Sequence, residues 1–191
     1  AASASGGEFG ESIQNRGNGP TSIKTSGAIT GTILDGIAAV NDADAGDLII
    51  ETTVVTGGRH GIQAENRGKG QTDITALANV TGTNGVGILA RNGATATSLT
   101  VEAAAVTGGE YGIYADNGGI GLTSVKASGD IDGSLGIGIV ARNAETVLVR
   151  PEAASAPGFR PSGLNPASSS SSVGVRRASR RRASCRPVMG G

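Results

Sequence analysis

Few side chains in this sequence are equipped for chemistry. There is one histidine, His60, and one cysteine, Cys185. A nucleophile-His-acid system or a zinc site needs several such groups converging at short range, so His60, directly ahead of Gly61, reads as a surface turn residue. A lone Cys185 excludes both an internal disulfide and a Cys-based zinc site. The densest acidic group is Asp42, Asp44 and Asp47. It falls in one short stretch and reads as a solvated turn rather than a cation or catalytic site, while Asp116, Asp130 and Asp132 stand apart from it. Glycine-rich segments beginning at Asn15, Asn66 and Asn117 invite a phosphate-loop reading, but they lack the Gly-Lys-Ser/Thr ending and a following helix. In the last of them Thr123 stands where a calcium β-roll requires Asp. Tyr111 and Tyr114 are the aromatic platform available to a sugar, and the Asn79-Val80-Thr81 sequon sits inside a segment repeated for structural reasons. No catalytic, cofactor-binding or metal-ligating residue is assigned, and the expectation is a protein that is not an enzyme.

Those glycine-rich segments recur because the whole chain recurs. Gly36-Ile37-Ala38-Ala39-Val40-Asn41 is matched by Gly61 to Asn66, Gly87 to Asn92, Gly112 to Asn117 and Gly138 to Asn143, with a weaker copy from Gly10 to Asn15. The asparagines are spaced by 26, 25, 26, 25 and 26 residues. A second anchor ends 16 residues after each of the first five: Ile29-Thr30-Gly31, Val55-Thr56-Gly57, Val80-Thr81-Gly82, Val106-Thr107-Gly108 and Ile131-Asp132-Gly133. Two anchors holding one period define a tandem repeat.

Within a copy the apolar pattern alternates. Ile, Ala and Asn of Gly-Ile-x-Ala-x-Asn share one face, and the x positions, such as Gln63 and Glu65 or Leu89 and Arg91, share the other. A further β-type stretch lies between the anchors, so each repeat reads as three short strands and three turns. One repeat cannot bury its own inner face, but copies stacked at about 4.8 Å can. The expected fold is all-β: a single-stranded parallel β-helix of about 5–6 rungs over residues 1–149. Ile37, Ile62, Ile88, Ile113 and Ile139 would form a core column, and Ala39, Ala64, Ala90, Ala115 and Ala141 would permit a tight corner. The asparagines would form an amide ladder, and the glycine of each second anchor would supply backbone freedom. Glu11 occupies an Ile position, which marks the first copy as partial.

Composition agrees with this and divides the chain. Gly numbers 33 of 191 residues, and aromatics are 2% with no Trp, so the core is built of small aliphatics rather than rings. Residues 1–150 hold 9 Lys and Arg against 15 Asp and Glu, whereas residues 151–191 hold 7 Arg against 1 Glu. That second segment carries Pro157, Pro161, Pro166 and Pro187, the serines Ser168 to Ser172 and an arginine run from Arg176 to Arg182. Arg150-Pro151 is expected to break the last strand. Residues 150–191 read as a disordered tail, and arginine without lysine among Ala, Ser and Pro is the composition of a GC-rich gene read out of frame. Nucleic acid is not an expected partner. No apolar run of about 18 residues could span a membrane as a helix, and no secretory signal is visible ahead of the repeats.

The repeated Gly-Ile-x-Ala-x-Asn-x-Gly-x-Gly followed by Val-Thr-Gly, over roughly residues 7 to 149, resembles the passenger region of bacterial autotransporters. The resemblance implies an extracellular or outer-membrane surface location on a Gram-negative bacterium. It also implies an adhesin-like stalk without catalytic activity of its own, host, matrix or cell-surface glycan or protein ligands met through the outer faces and turns, and a C-terminal translocator barrel in the parent protein. No alternating ten-residue strands of such a barrel occur in residues 150–191. The cysteine-free repeat body agrees with export. The competing expectation, from fold alone, is a fragment of a β-helix polysaccharide lyase or hydrolase.

Overall fold

A computed structural model describes residues 3–143 and 147–151. The described chain is all-β. In chain order its strands are β1 Ala4–Gly6, β2 Glu11–Asn15, β3 Thr21–Lys24, β4 Ile29–Gly31, β5 Ile37–Asn41, β6 Leu48–Thr52, β7 Val55–Gly57 and β8 Ile62–Asn66. There follow β9 Thr72–Gly82, β10 Ile88–Asn92, β11 Leu99–Gly108, β12 Tyr111–Asn117, β13 Thr123–Ala127, β14 Ile131–Gly133, β15 Ile137–Asn143 and β16 Val147–Pro151. The Gly-Ile-x-Ala-x-Asn strands β2, β5, β8, β10, β12 and β15 stack as one six-stranded parallel sheet, and the remaining ten form the other wall. The chain is a parallel β-solenoid of about six turns.

Register follows the repeats. Ile62 pairs with Ile37 and Ile88, and Asn66 with Asn41 and Asn92. Glu11 faces Ile37, as its position in the Ile column requires. Three strands per turn hold where a corner intervenes. In β9 and β11 the second and third strands fuse across a bulge between Ala103 and Ala105. The last strand does not stop at Arg150: Arg150 pairs with Lys126 and Pro151 with Ala127. Among the described residues β16 is the terminal strand of its sheet, a place where a proline is tolerated. The tail beyond it, Cys185 and the arginine run included, lies outside the described residues.

The interior is aliphatic columns: Ile37, Ile62, Ile88 and Ile113 are each 0% exposed and face Ile50, Ile74 and Val101 of the other wall within one continuous core. The alanine column stands in mid-strand, not at a corner; small side chains there let the two walls close on each other. The glycines of the Val-Thr-Gly anchors also have a different reason from the one expected. Gly31, Gly57, Gly82 and Gly108 do not adopt positive φ; Gly136 is the one glycine described that does. A Cβ on those four would instead strike the carbonyls of Asp35, His60, Val86 and Tyr111. Space, rather than backbone freedom, demands glycine.

The alternation of 25- and 26-residue spacings has a structural meaning: the repeating unit is two turns, 51 residues long. Asn15, Asn66 and Asn117 are followed by x-Gly-x-Gly and a threonine, Thr21, Thr72 or Thr123. Asn41 and Asn92 precede a turn one residue longer that ends in Leu48 or Leu99. The expected amide ladder is absent, since none of Asn15, Asn41, Asn66, Asn92 and Asn117 bonds another. In the first class the side-chain oxygen accepts from the second N–H of its own turn, Gly17 (2.9 Å), Gly68 (2.9 Å) or Gly119 (3.0 Å). In the second class it accepts from the threonine of the preceding rung, Thr21 to Asn41 and Thr72 to Asn92 at 2.6 Å. The amide nitrogen meanwhile donates to turn carbonyls. Asn66 reaches Gly46 as well as Gly70, and Asn117 reaches Thr97 as well as Gly121, so each side chain ties its own turn to the one before. Buried turn carbonyls need donors, and they outcompete a neighbouring amide.

Thr72→Val removes one donor at a fully buried position and leaves Asn92 Oδ1 unpaired, so chemical denaturation should show a loss of about 1–3 kcal/mol. Thr75→Val, on the outer face of the same strand, should change stability by less than about 0.5 kcal/mol.

Candidate ligand-binding cleft

Two-turn periodicity also orders one corner of the solenoid. The residue before each rung-opening glycine is Phe9, Asp35, His60, Val86, Tyr111 and Ile137 in turn. Rings therefore recur every 51 residues, at Phe9, His60 and Tyr111, with smaller residues between them. Asp35 is a carboxylate in an aliphatic position, 0% exposed. It is held by a bidentate Arg59, Nε to Oδ1 at 2.9 Å and a terminal nitrogen to Oδ2 at 2.7 Å, and by the His60 N–H at 3.2 Å. The hydrogen bond to Asp35 raises the Arg59 pKa further above its already high range. The same guanidinium donates to Gln63 Oε1 at 2.9 Å, which leaves the Gln63 amide hydrogens facing outward as donors.

His60 is a half-buried corner residue rather than a purely surface one. Its Nδ1 accepts the Val86 N–H at 2.9 Å, so this nitrogen is unprotonated. Gly85 gives the imidazole room: a Cβ there would lie 2.6 Å from Nδ1. Burial pushes the His60 pKa below 6.5, Asp35 opposes that shift, and Arg59 adds to it.

Beside this corner the outer face of the six-stranded sheet forms an open cleft of about 350 Å³. Arg59, His60 and Gln63 line one end, Val86, Leu89 and Arg91 the middle, and Glu110, Tyr111 and Tyr114 the other end. Successive rungs carry Gln63, Leu89 and Tyr114 in one outward row, and Glu65, Arg91, Asp116 and Arg142 in the next. The second row alternates in charge, yet Arg91 and Arg142 make no ion pair among the described residues. They stack on Tyr114 instead, with guanidinium carbons 5.7 and 5.3 Å from the ring centre. Tyr111 and Tyr114 are 5.9 Å apart, tilted at 50°.

The cleft thus brings together the two tyrosines and the histidine singled out in the sequence. Arg59, Gln63 and Arg91 were not singled out; the outward x positions looked merely mixed. Their signal is available only once the rungs are in register, which makes residues about 25 apart into neighbours. Asp42, Asp44 and Asp47 are not brought onto a common centre. Asp42 faces Gln14, Arg16 and Arg67, Asp44 faces Lys69, and Asp47 accepts the Gln71 N–H at 3.0 Å. Among the described residues no three His, Cys, Asp or Glu side chains converge to hold a metal ion. Asn79 of the sequon is exposed on β9.

The fold defines the class, a parallel β-solenoid. Comparison with protein-family models, with curated proteins and with solved structures finds no match to this chain.

Two outcomes test the corner. Arg59→Ala strips the partner from a buried carboxylate; because Arg59 is itself 45% exposed, the expected loss in denaturation is about 2 kcal/mol rather than the larger cost of a fully buried pair. Adding Asp35→Val should restore most of it, since Val86 fills the equivalent position two rungs on. Protonating His60 removes the acceptor of the Val86 N–H. Its folded pKa lies below the unfolded 6.5, so its stabilising contribution is present above 6.5 and lost as pH falls through the folded value. Melting temperature should therefore drop between about pH 7.5 and pH 5 by more than in His60→Asn, whose amide oxygen can accept without titrating in that range.

Proposed function

We propose that the chain is a segment of an autotransporter-like passenger domain: a β-helical stalk or adhesin on the outer surface of a Gram-negative bacterium, without catalytic activity of its own. The observation that supports this most is the division of labour between the two faces of each rung. Inside, Ile, Ala and Asn return and are buried in the four middle turns, β5, β8, β10 and β12; outside, the same sheet carries Ala38, Gln63, Leu89, Tyr114 and Val140 in one row, with no repetition. Only the inside is constrained by stacking. The outside is free to serve as a display surface for host, matrix or cell-surface ligands, and it carries the cleft. In this reading the translocator barrel belongs to the parent protein, and a chain with no cysteine before Cys185 can be threaded unfolded and stacked rung by rung outside.

Incubating the full chain with host cells, extracellular matrix and a glycan array tests this. Saturable binding that survives washing is expected. Absence of binding to all three would remove the adhesin role.

A further inference from the structure

We propose that the cleft between Arg59 and Tyr114 binds an acidic sugar, with Arg91 holding its carboxylate and Tyr111 receiving an apolar face of the ring. This deepens the surface-ligand reading above and rests on it for the kind of molecule an exposed stalk meets.

Three features of the cleft point to that ligand. First, one of its arginines is unspent among the described residues. Arg91 lies one rung from both Glu65 and Asp116 in register, yet it pairs with neither and its guanidinium carbon sits 5.7 Å from the Tyr114 ring centre. A guanidinium without a carboxylate partner keeps its N–H groups, and that planar fork matches a carboxylate in two parallel hydrogen bonds. Second, the donor set is biased. Gln63 has its oxygen occupied by Arg59, so it too offers N–H groups to the cleft. Glu110 is the one carboxylate in the lining, available to accept from sugar hydroxyls. Third, part of the lining is apolar. Val86 and Leu89 line the cleft together with Tyr111, whose ring is tilted by 50° to Tyr114. An inorganic anion would use Arg91 and waste the apolar lining; a neutral sugar would use the apolar lining and leave Arg91 unpaired. A volume of about 350 Å³ lies within the range of small-ligand pockets and is open at the surface, as an internal unit of an oligosaccharide requires.

The chain carries its own reporter. It has two tyrosines and no tryptophan, so intrinsic fluorescence arises from the cleft alone. The full chain is titrated with a trimer of galacturonic acid, a trimer of galactose and inorganic phosphate, each followed by tyrosine emission. A saturable change is expected with the acidic trimer, weakened about tenfold or more in Arg91→Gln, with unchanged circular dichroism. No saturable change, an equal response to the neutral trimer, displacement by phosphate at matching concentration, or undiminished binding by Arg91→Gln would overturn the proposal. Cell or matrix binding that persists in such a case leaves the stalk reading standing and the cleft excluded as its site. Shortening of the acidic trimer during the titration would do the reverse: the cleft would stand as an acidic-sugar site, and the non-catalytic reading would fall.

Discussion

Everything in this molecule depends on in-register parallel pairing between successive turns. Each rung must present, about 4.8 Å from the last, a backbone that offers its N–H and C=O groups at the same places. A one-residue slip would turn Ile88 outward and Arg91 inward, so the alternation of burial along each strand and the pairing between strands enforce each other. The same requirement explains the smallest residues. Where the chain turns from one wall to the next, a carbonyl of the same turn and the amide nitrogen of the neighbouring rung's Gly36, Gly61 or Gly87 crowd the space a Cβ would take, and glycine is retained at Gly57, Gly82 and Gly108 for that reason. The core needs no large rings because its width is set by facing aliphatic columns rather than by the size of the domain.

How much of this could be read in the sequence depends on the range of the interaction. The Ile and Asn columns, the inward and outward alternation and the misfit of Glu11 were legible because each is a relation between identical positions at a fixed spacing. The partners of the asparagines were not. Asn92 receives its hydrogen bond from Thr72, and Asn66 from Gly68 of its own turn, a difference set by one additional residue in the turn after Asn92. The turn lengths were readable, six residues from Asn66 to Thr72 against seven from Asn92 to Leu99, but a spacing does not say which atom fills which gap. The bulge between β9 and β11, where Leu77 and Ala78 stand against Ala104, is a second case. Nothing local in Glu102-Ala103-Ala104-Ala105 announces that the corner opens into one continuous strand.

The cleft belongs to the same class of property. Arg59, Gln63, Arg91 and Tyr114 come from three successive turns and share no motif; stacking alone makes them adjacent. Buried Asp35 shows how such a surface is held in place. A carboxylate at an aliphatic position orients Arg59, Arg59 orients Gln63, and a cleft-lining amide is thereby fixed by a charge that never meets solvent. The polar surface is supported from within, with stacking of the interior left undisturbed.

The pairing of unlike turns has a consequence for how such an array can grow or shrink. If a single turn were lost by recombination, two rungs of the same class would meet, and an asparagine such as Asn92 would find no threonine beneath it while its own turn still lacked the N–H to replace it. Loss of two turns brings rungs of matching class together again at this position. The structural period of this solenoid is therefore 51 residues, and a change by one turn costs a hydrogen bond of the Thr72–Asn92 kind.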